Sequence, residues 1–115
     1  MAAELPVIRA CYGLTLELSR RVEKFPRQHR VTLGSELTAC GRTILGRLIR
    51  AKYAPSGAKA ELLADANVNV ELLRFNLRLA ADLKALPYCG QGHLLQLAQD
   101  VGLQIGGWLK SVRGQ

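Results

Sequence analysis

The chain has 115 residues, 49% of them apolar, and a net charge of +7. This is enough for one domain with a real core and short for two, so a single unit over 1–115 is expected. No run of about 18 uncharged apolar residues is present, and the opening Met-Ala-Ala-Glu lacks a basic segment followed by an apolar one. Neither a membrane span nor a secretory signal is supported, and a cytoplasmic protein is expected.

The first helix starts at Pro6, a residue suited to a first helical turn. Val7, Cys11, Leu14, Leu18 and Val22 then recur every three or four residues until Phe25-Pro26 stops the pattern. Phe25, pushed away from helical dihedrals by the proline, is free to fold back onto the bundle end. Arg27 to Arg30 read as a short polar turn. The second helix runs from about Thr32 to Tyr53, with Leu33, Leu37, Cys40, Ile44, Leu48 and Ala51 on its core side. Gly34, Gly41 and Gly46 each cost about 1 kcal/mol in a helix interior, which points to close approach of a neighbouring helix. After Ala54-Pro55, Ser56 is a candidate N-cap for the third helix.

That third helix, read as Ala60 to Leu86, organises the rest. One face carries Leu63, Ala66, Val70, Leu73, Leu77 and Ala80, and the opposite face carries Val68, Leu72, Phe75, Leu79 and Leu83. A surface helix of a small bundle needs one apolar stripe, so the second one asks for a partner, most simply another copy. Between the stripes, Glu71 precedes Arg74 by three residues and Arg78 precedes Asp82 by four, the spacing of ion pairs along a helix. Arg74 and Arg78 are therefore either structural or ligand-contacting. Tyr88 to Gly92 make the last connection, and a fourth helix follows with Leu94, Leu97 or Ala98, Val101, Ile105, Trp108 or Leu109, and Val112 at helical spacing. Its Gly102, Gly106 and Gly107 again imply tight packing. Trp108, the single tryptophan, is a core or subunit-interface anchor. Short turns between four such helices imply an all-α, antiparallel up-down-up-down four-helix bundle.

The charge is not evenly spread along the chain. Between Arg20 and Lys52 stand nine bases (Arg20, Arg21, Lys24, Arg27, Arg30, Arg42, Arg47, Arg50 and Lys52) against two acids, while the remainder has seven of each. Such segregation is the footprint of a surface for a polyanion, RNA or DNA, with a solvated face or an acidic protein partner as the neutral reading. Nothing in the sequence supports catalysis. His29 and His93 stand alone, no phosphate loop or HExxH is present, and Cys11, Cys40 and Cys89 lack CxxC spacing and read as small core residues, so neither a cofactor nor a metal site is expected.

Three stretches carry a family resemblance: FPRQHRVTLGSEL (Phe25 to Leu37), LRFNLRLAADLK (Leu73 to Lys84) and VGLQIGGWLKS (Val101 to Ser111). Together they resemble the accessory variability determinant proteins of diversity-generating retroelements, which belong with the small four-helix bundles encoded in intervening sequences of ribosomal RNA genes. The resemblance implies a non-enzymatic partner of a reverse transcriptase, a homopentameric barrel that binds this enzyme and RNA or DNA during mutagenic retrohoming. The basic residues above are then the nucleic-acid or reverse-transcriptase surface, joined by Arg74 and Arg78. Val68, Leu72, Phe75, Leu79 and Trp108 are the expected oligomer contacts. The rival reading is a structural homo-oligomer or intervening-sequence-type adaptor with no reverse transcriptase partner.

Overall fold

The computed structural model of the protein describes residues 4–114; Met1, Ala2 and Ala3, part of the N-terminal stretch read above, lie outside them. In chain order the helices are α1 (Glu4–Val22), a single turn α2 (Arg27–His29) running into a π-helical turn (Arg30–Gly34), α3 (Ser35–Tyr53), α4 (Ser56–Asp82) and α5 (Tyr88–Arg113). Among the described residues there is no strand, and no helix is long and apolar enough to cross a membrane. The four long helices make an all-α bundle with extents of 46 × 22 × 19 Å. Each packs on two others: α1 and α4 both contact α3 and α5. The α1/α3 side and the α4/α5 side are therefore opposite faces.

The core follows the apolar rows of the sequence. Val7, Cys11, Leu14 and Leu18 of α1 meet Leu37, Cys40, Ile44, Leu48 and Ala51 of α3, with Leu63, Ala66, Val70, Leu73, Leu77 and Ala80 of α4 and Leu94, Ala98, Val101, Ile105, Trp108 and Leu109 of α5. Phe25 does fold back and is buried. Contacts between helices give the register. The Cys11 thiol lies 3.9 Å from the Gly41 carbonyl and the Cys40 thiol 3.4 Å from the Asn69 carbonyl. Lys59 Nζ donates to the Ala51 and Lys52 carbonyls at 2.7 and 3.1 Å, satisfying two of the orphan acceptors at the end of α3.

Several boundaries differ from the sequence reading. The Arg27–Arg30 stretch is helical, and the π turn carries the chain from it into α3, so the helical path begins five residues before Thr32. α4 begins at Ser56 and Pro55 occupies the N-cap, with no side-chain cap; Ser56 is the first helical residue rather than the cap. α4 also ends four residues before Leu86. There Lys84 adopts a positive φ of 61°, its N–H reaches the Ala81 carbonyl at 3.0 Å, and the Ala85 N–H reaches Ala80 at 2.9 Å. This is the Schellman arrangement, built without its usual glycine. With the turn made there, Tyr88 to Gly92 are free to be the first residues of α5 rather than a connection.

The glycines divide into two kinds. A Cβ on Gly34 would fall 2.6 Å from Val22 Cγ1, and one on Gly41 would lie 3.0 Å from Thr15 Oγ1 and 3.1 Å from Leu18 Cδ1, so these two permit the close contact of α1 with the chain entering and forming α3. Gly46, Gly106 and Gly107 have open space around them and play no part in packing within the protomer, contrary to expectation. Gly102 makes an ordinary contact with Val70.

Candidate functional site

Folding redistributes the basic segment. α3 has 19 residues and spans about 28 Å at 1.5 Å per residue, so it carries the two halves of that segment to opposite ends of the bundle. One end holds Arg20, Arg21, Lys24, Arg27, Arg30, Arg78 and Lys84 against four acids, Glu17, Glu23, Glu36 and Asp82. The other holds Arg9, Arg50, Lys52, Lys59, Lys110 and Arg113 beside the carboxylate of Glu61. The waist between them carries Arg42, Arg47 and Arg74 with Asp65, Glu71 and Asp100, three of each sign. The contiguous basic stretch of the sequence is thus two basic ends separated by a neutral waist, because a long helix converts sequence distance into spatial distance.

Several of these bases are committed inside the protomer. Arg47 Nε donates to Asn69 Oδ1 at 2.8 Å and its guanidinium lies 3.7 Å from Asp65, tying α3 to α4. Arg21 pairs with Glu17 at 3.2 Å, and His93 of α5 approaches the same carboxylate at 3.7 Å. Arg30 donates to the Phe25 carbonyl at 3.2 Å and holds the chain reversal. Lys52 lies over the Tyr53 ring at 5.3 Å. By contrast Arg20, Lys24, Arg27, Arg42 and Arg50 are exposed and form no ion pair among the described residues. Along α4, the Glu71–Arg74 and Arg78–Asp82 pairs anticipated from spacing are also not formed among the described residues. Arg74 and Arg78 instead line a groove of about 300 Å³ between α4 and α5 with Glu71, Phe75, Gln91 and Leu95. It continues into a second of about 590 Å³ that includes Asn67, Val68, Gly102 and Leu103.

The second apolar face of α4 lies on the surface. Val68, Leu72, Phe75, Leu79 and Leu83 are all exposed, Phe75 by 59%. Trp108 differs: it is only 7% exposed, packed in the core with Lys59 Nζ at 6.0 Å from its ring, so it is a core anchor and offers little surface to a neighbour. Exposed apolar side chains that sequence reasoning passed over lie on the far side, Tyr12 and Leu16 on α1 and Ile49 and Tyr53 on α3. Their signal was available: each falls outside the core row of its helix while being too apolar for a solvated face.

Among the described residues no cluster of three or more His, Cys, Asp or Glu is placed to hold a metal, and the three cysteines are unpaired. A family model described as bAvd-like matches residues 14–112. The chain belongs to the bAvd-like family. The match runs from the middle of α1 to within one residue of the end of α5 and so covers the waist, all three stretches that carried the resemblance, and the bases of both ends other than Arg9 and Arg113. Membership in the bAvd-like family agrees with an accessory variability determinant. No curated protein matches the chain.

Proposed function

We propose that this bAvd-like protein is a non-enzymatic accessory factor of a diversity-generating retroelement, a ring of antiparallel up-down-up-down bundles that binds a reverse transcriptase and RNA or DNA. The observation that carries the reading is the division of the surface: charge in excess at both ends, and a neutral waist with exposed apolar stripes. Bundles standing side by side through their waists cover the apolar stripes and gather the basic ends into two rims. The antiparallel arrangement is supported by the order of contacts, since Ala51 meets Lys59 while Cys40 meets Asn69, and Arg21 adjoins Gly90 while Glu17 adjoins His93. Exposed bases of this kind contact phosphates, which set affinity and carry no base identity.

The test is fluorescence anisotropy of labelled RNA and duplex DNA between about 50 and 200 mM salt, beside co-elution with a reverse transcriptase encoded nearby. The expected result is affinity that falls steeply with salt, varies little with base sequence, and drops when Arg20, Lys24 and Arg27 are changed to glutamate with the fold intact. An assembly indifferent to both nucleic acid and polymerase would replace this reading with the structural-adaptor one.

A further inference from the structure

The aromatic side chains of the protein fall into three groups. Phe25 and Trp108 lie in the core, while Tyr12 and Phe75 stand on the sides of the bundle, among the apolar stripes. That leaves Tyr53 and Tyr88, which are 77% and 74% exposed. Tyr53 is the last residue of α3 and Tyr88 the first residue of α5, so each basic end of the bundle carries one tyrosine. Bundles that stand side by side leave both of these rings in water.

Both rings have cations beside them. Lys52 Nζ lies 5.3 Å from the centre of the Tyr53 ring, and the exposed Arg50 precedes it by three residues. At the other end the Arg21 guanidinium reaches the first turn of α5, where a Cβ on Gly90, two residues after Tyr88, would lie 2.8 Å from its Nη1. Arg20 and Lys24, next to Arg21 on the same stretch of α1, are exposed and form no ion pair among the described residues. A flat ring left in water adds little to the fold. Beside positive charge, it offers an unpaired base a face to stack on while the phosphates are neutralised. A duplex cannot use such a face, because its bases are already stacked on one another and only their edges reach the grooves.

We infer that Tyr53 and Tyr88 are stacking platforms for unpaired bases, so that the basic ends favour single-stranded nucleic acid over a duplex. The inference rests on the nucleic-acid reading above and names the form of strand that the ends take. Arg20, Lys24 and Arg50 hold the phosphates and the two rings hold bases, with little preference among bases because every base has a π-face.

The experiment measures anisotropy at one salt concentration with three labelled ligands: a single strand free of self-complementarity, the same strand with abasic spacers in place of its bases, and its duplex. The proteins are the wild type, a Tyr53→Ala, Tyr88→Ala double variant, and a Tyr53→Phe, Tyr88→Phe double variant. Both positions are exposed, so the fold survives, and circular dichroism verifies it. The wild type is expected to bind the single strand more tightly than the abasic one. The alanine variant should bind the single strand about fivefold more weakly or worse, with the abasic strand and duplex unchanged, and phenylalanine should restore the loss. Equal losses on all three ligands, no loss on the single strand, or a phenylalanine variant as weak as the alanine one would each overturn the platforms while leaving phosphate binding in place. A wild type that binds none of the three would overturn both readings.

Discussion

Cys11 shows how a single side chain records its surroundings. It is fully buried against α3, and burial pushes its thiol from an ordinary value of 9.0 up to about 12, outweighing the hydroxyl of Thr15, which favours the thiolate. Burial also raises Cys40, assisted by the nearby Glu36 carboxylate. The folded state thus holds the Cys11 proton more tightly than the unfolded state, and its contribution to stability is complete below pH 9 and lost as pH rises toward 12. Across that window the loss attributable to Cys11 is on the order of 1 kcal/mol per pH unit, so urea melts of wild type and Cys11→Ala should converge as pH is raised above 9. Parallel curves would mean that the thiol is not held neutral. Cys89, exposed at the start of α5, should be the one cysteine that a thiol reagent modifies in the native protein, with the others reacting only after unfolding. Cys11 and Cys40 were legible as core residues because they fall on the apolar rows of α1 and α3. Cys89, read as a core residue with them, is instead exposed in the first turn of α5, because its position depended on where that helix begins.

That dependence belongs to the element scale, where the turn after α4 is the informative case. Core rows are periodic and survive in the sequence; the ends of helices are decided by local backbone bonds that periodicity does not report. Leu83 to Leu86 continue the helical pattern, yet the chain leaves it at Lys84 through bonds to Ala80 and Ala81. A lysine at φ 61° pays the left-handed penalty that a glycine avoids, so Lys84→Gly should raise stability by about 1 kcal/mol, read as an increase in the urea midpoint. If it lowers stability, the turn is not left-handed in solution. The glycines give the opposite pair of outcomes. Gly34→Ala drives a methyl to 2.6 Å from Val22 and should destabilise by about 1–3 kcal/mol, whereas Gly107→Ala meets open space and should stabilise the protomer by about 1 kcal/mol. Sequence reading treats the two alike, since a glycine within a helix looks the same whether or not a neighbour presses on it.

At the scale of the molecule, the sequence discloses the amount of charge and the second apolar face of α4, but not the separation of the charge into two ends. Nor does it disclose that Arg47 is tied to Asn69 and Asp65 or that Arg74 and Arg78 turn toward α5. These follow from which helices become neighbours. The separation has a measurable consequence for polyanion binding. The long axis is 46 Å, several times the Debye length of about 10 Å at 0.1 M salt, so the ends act on a nucleic acid as independent sites. Removing one bound phosphate from the interface lowers the steepness of the salt dependence by about one unit in a log–log plot. Changing Arg20, Lys24 and Arg27 to glutamate at one end should remove part of the slope, and changing Arg50 and Lys52 at the other should remove another part. Measured with a duplex long enough to reach both ends, the two reductions should add in the combined variant. A slope abolished by the first set alone would assign nucleic acid to the α1–α2 end and leave the Arg50 end for another partner. Reductions that fail to add would mean that the ends are not electrostatically separate, and the division into two basic rims around a neutral waist would fall with them.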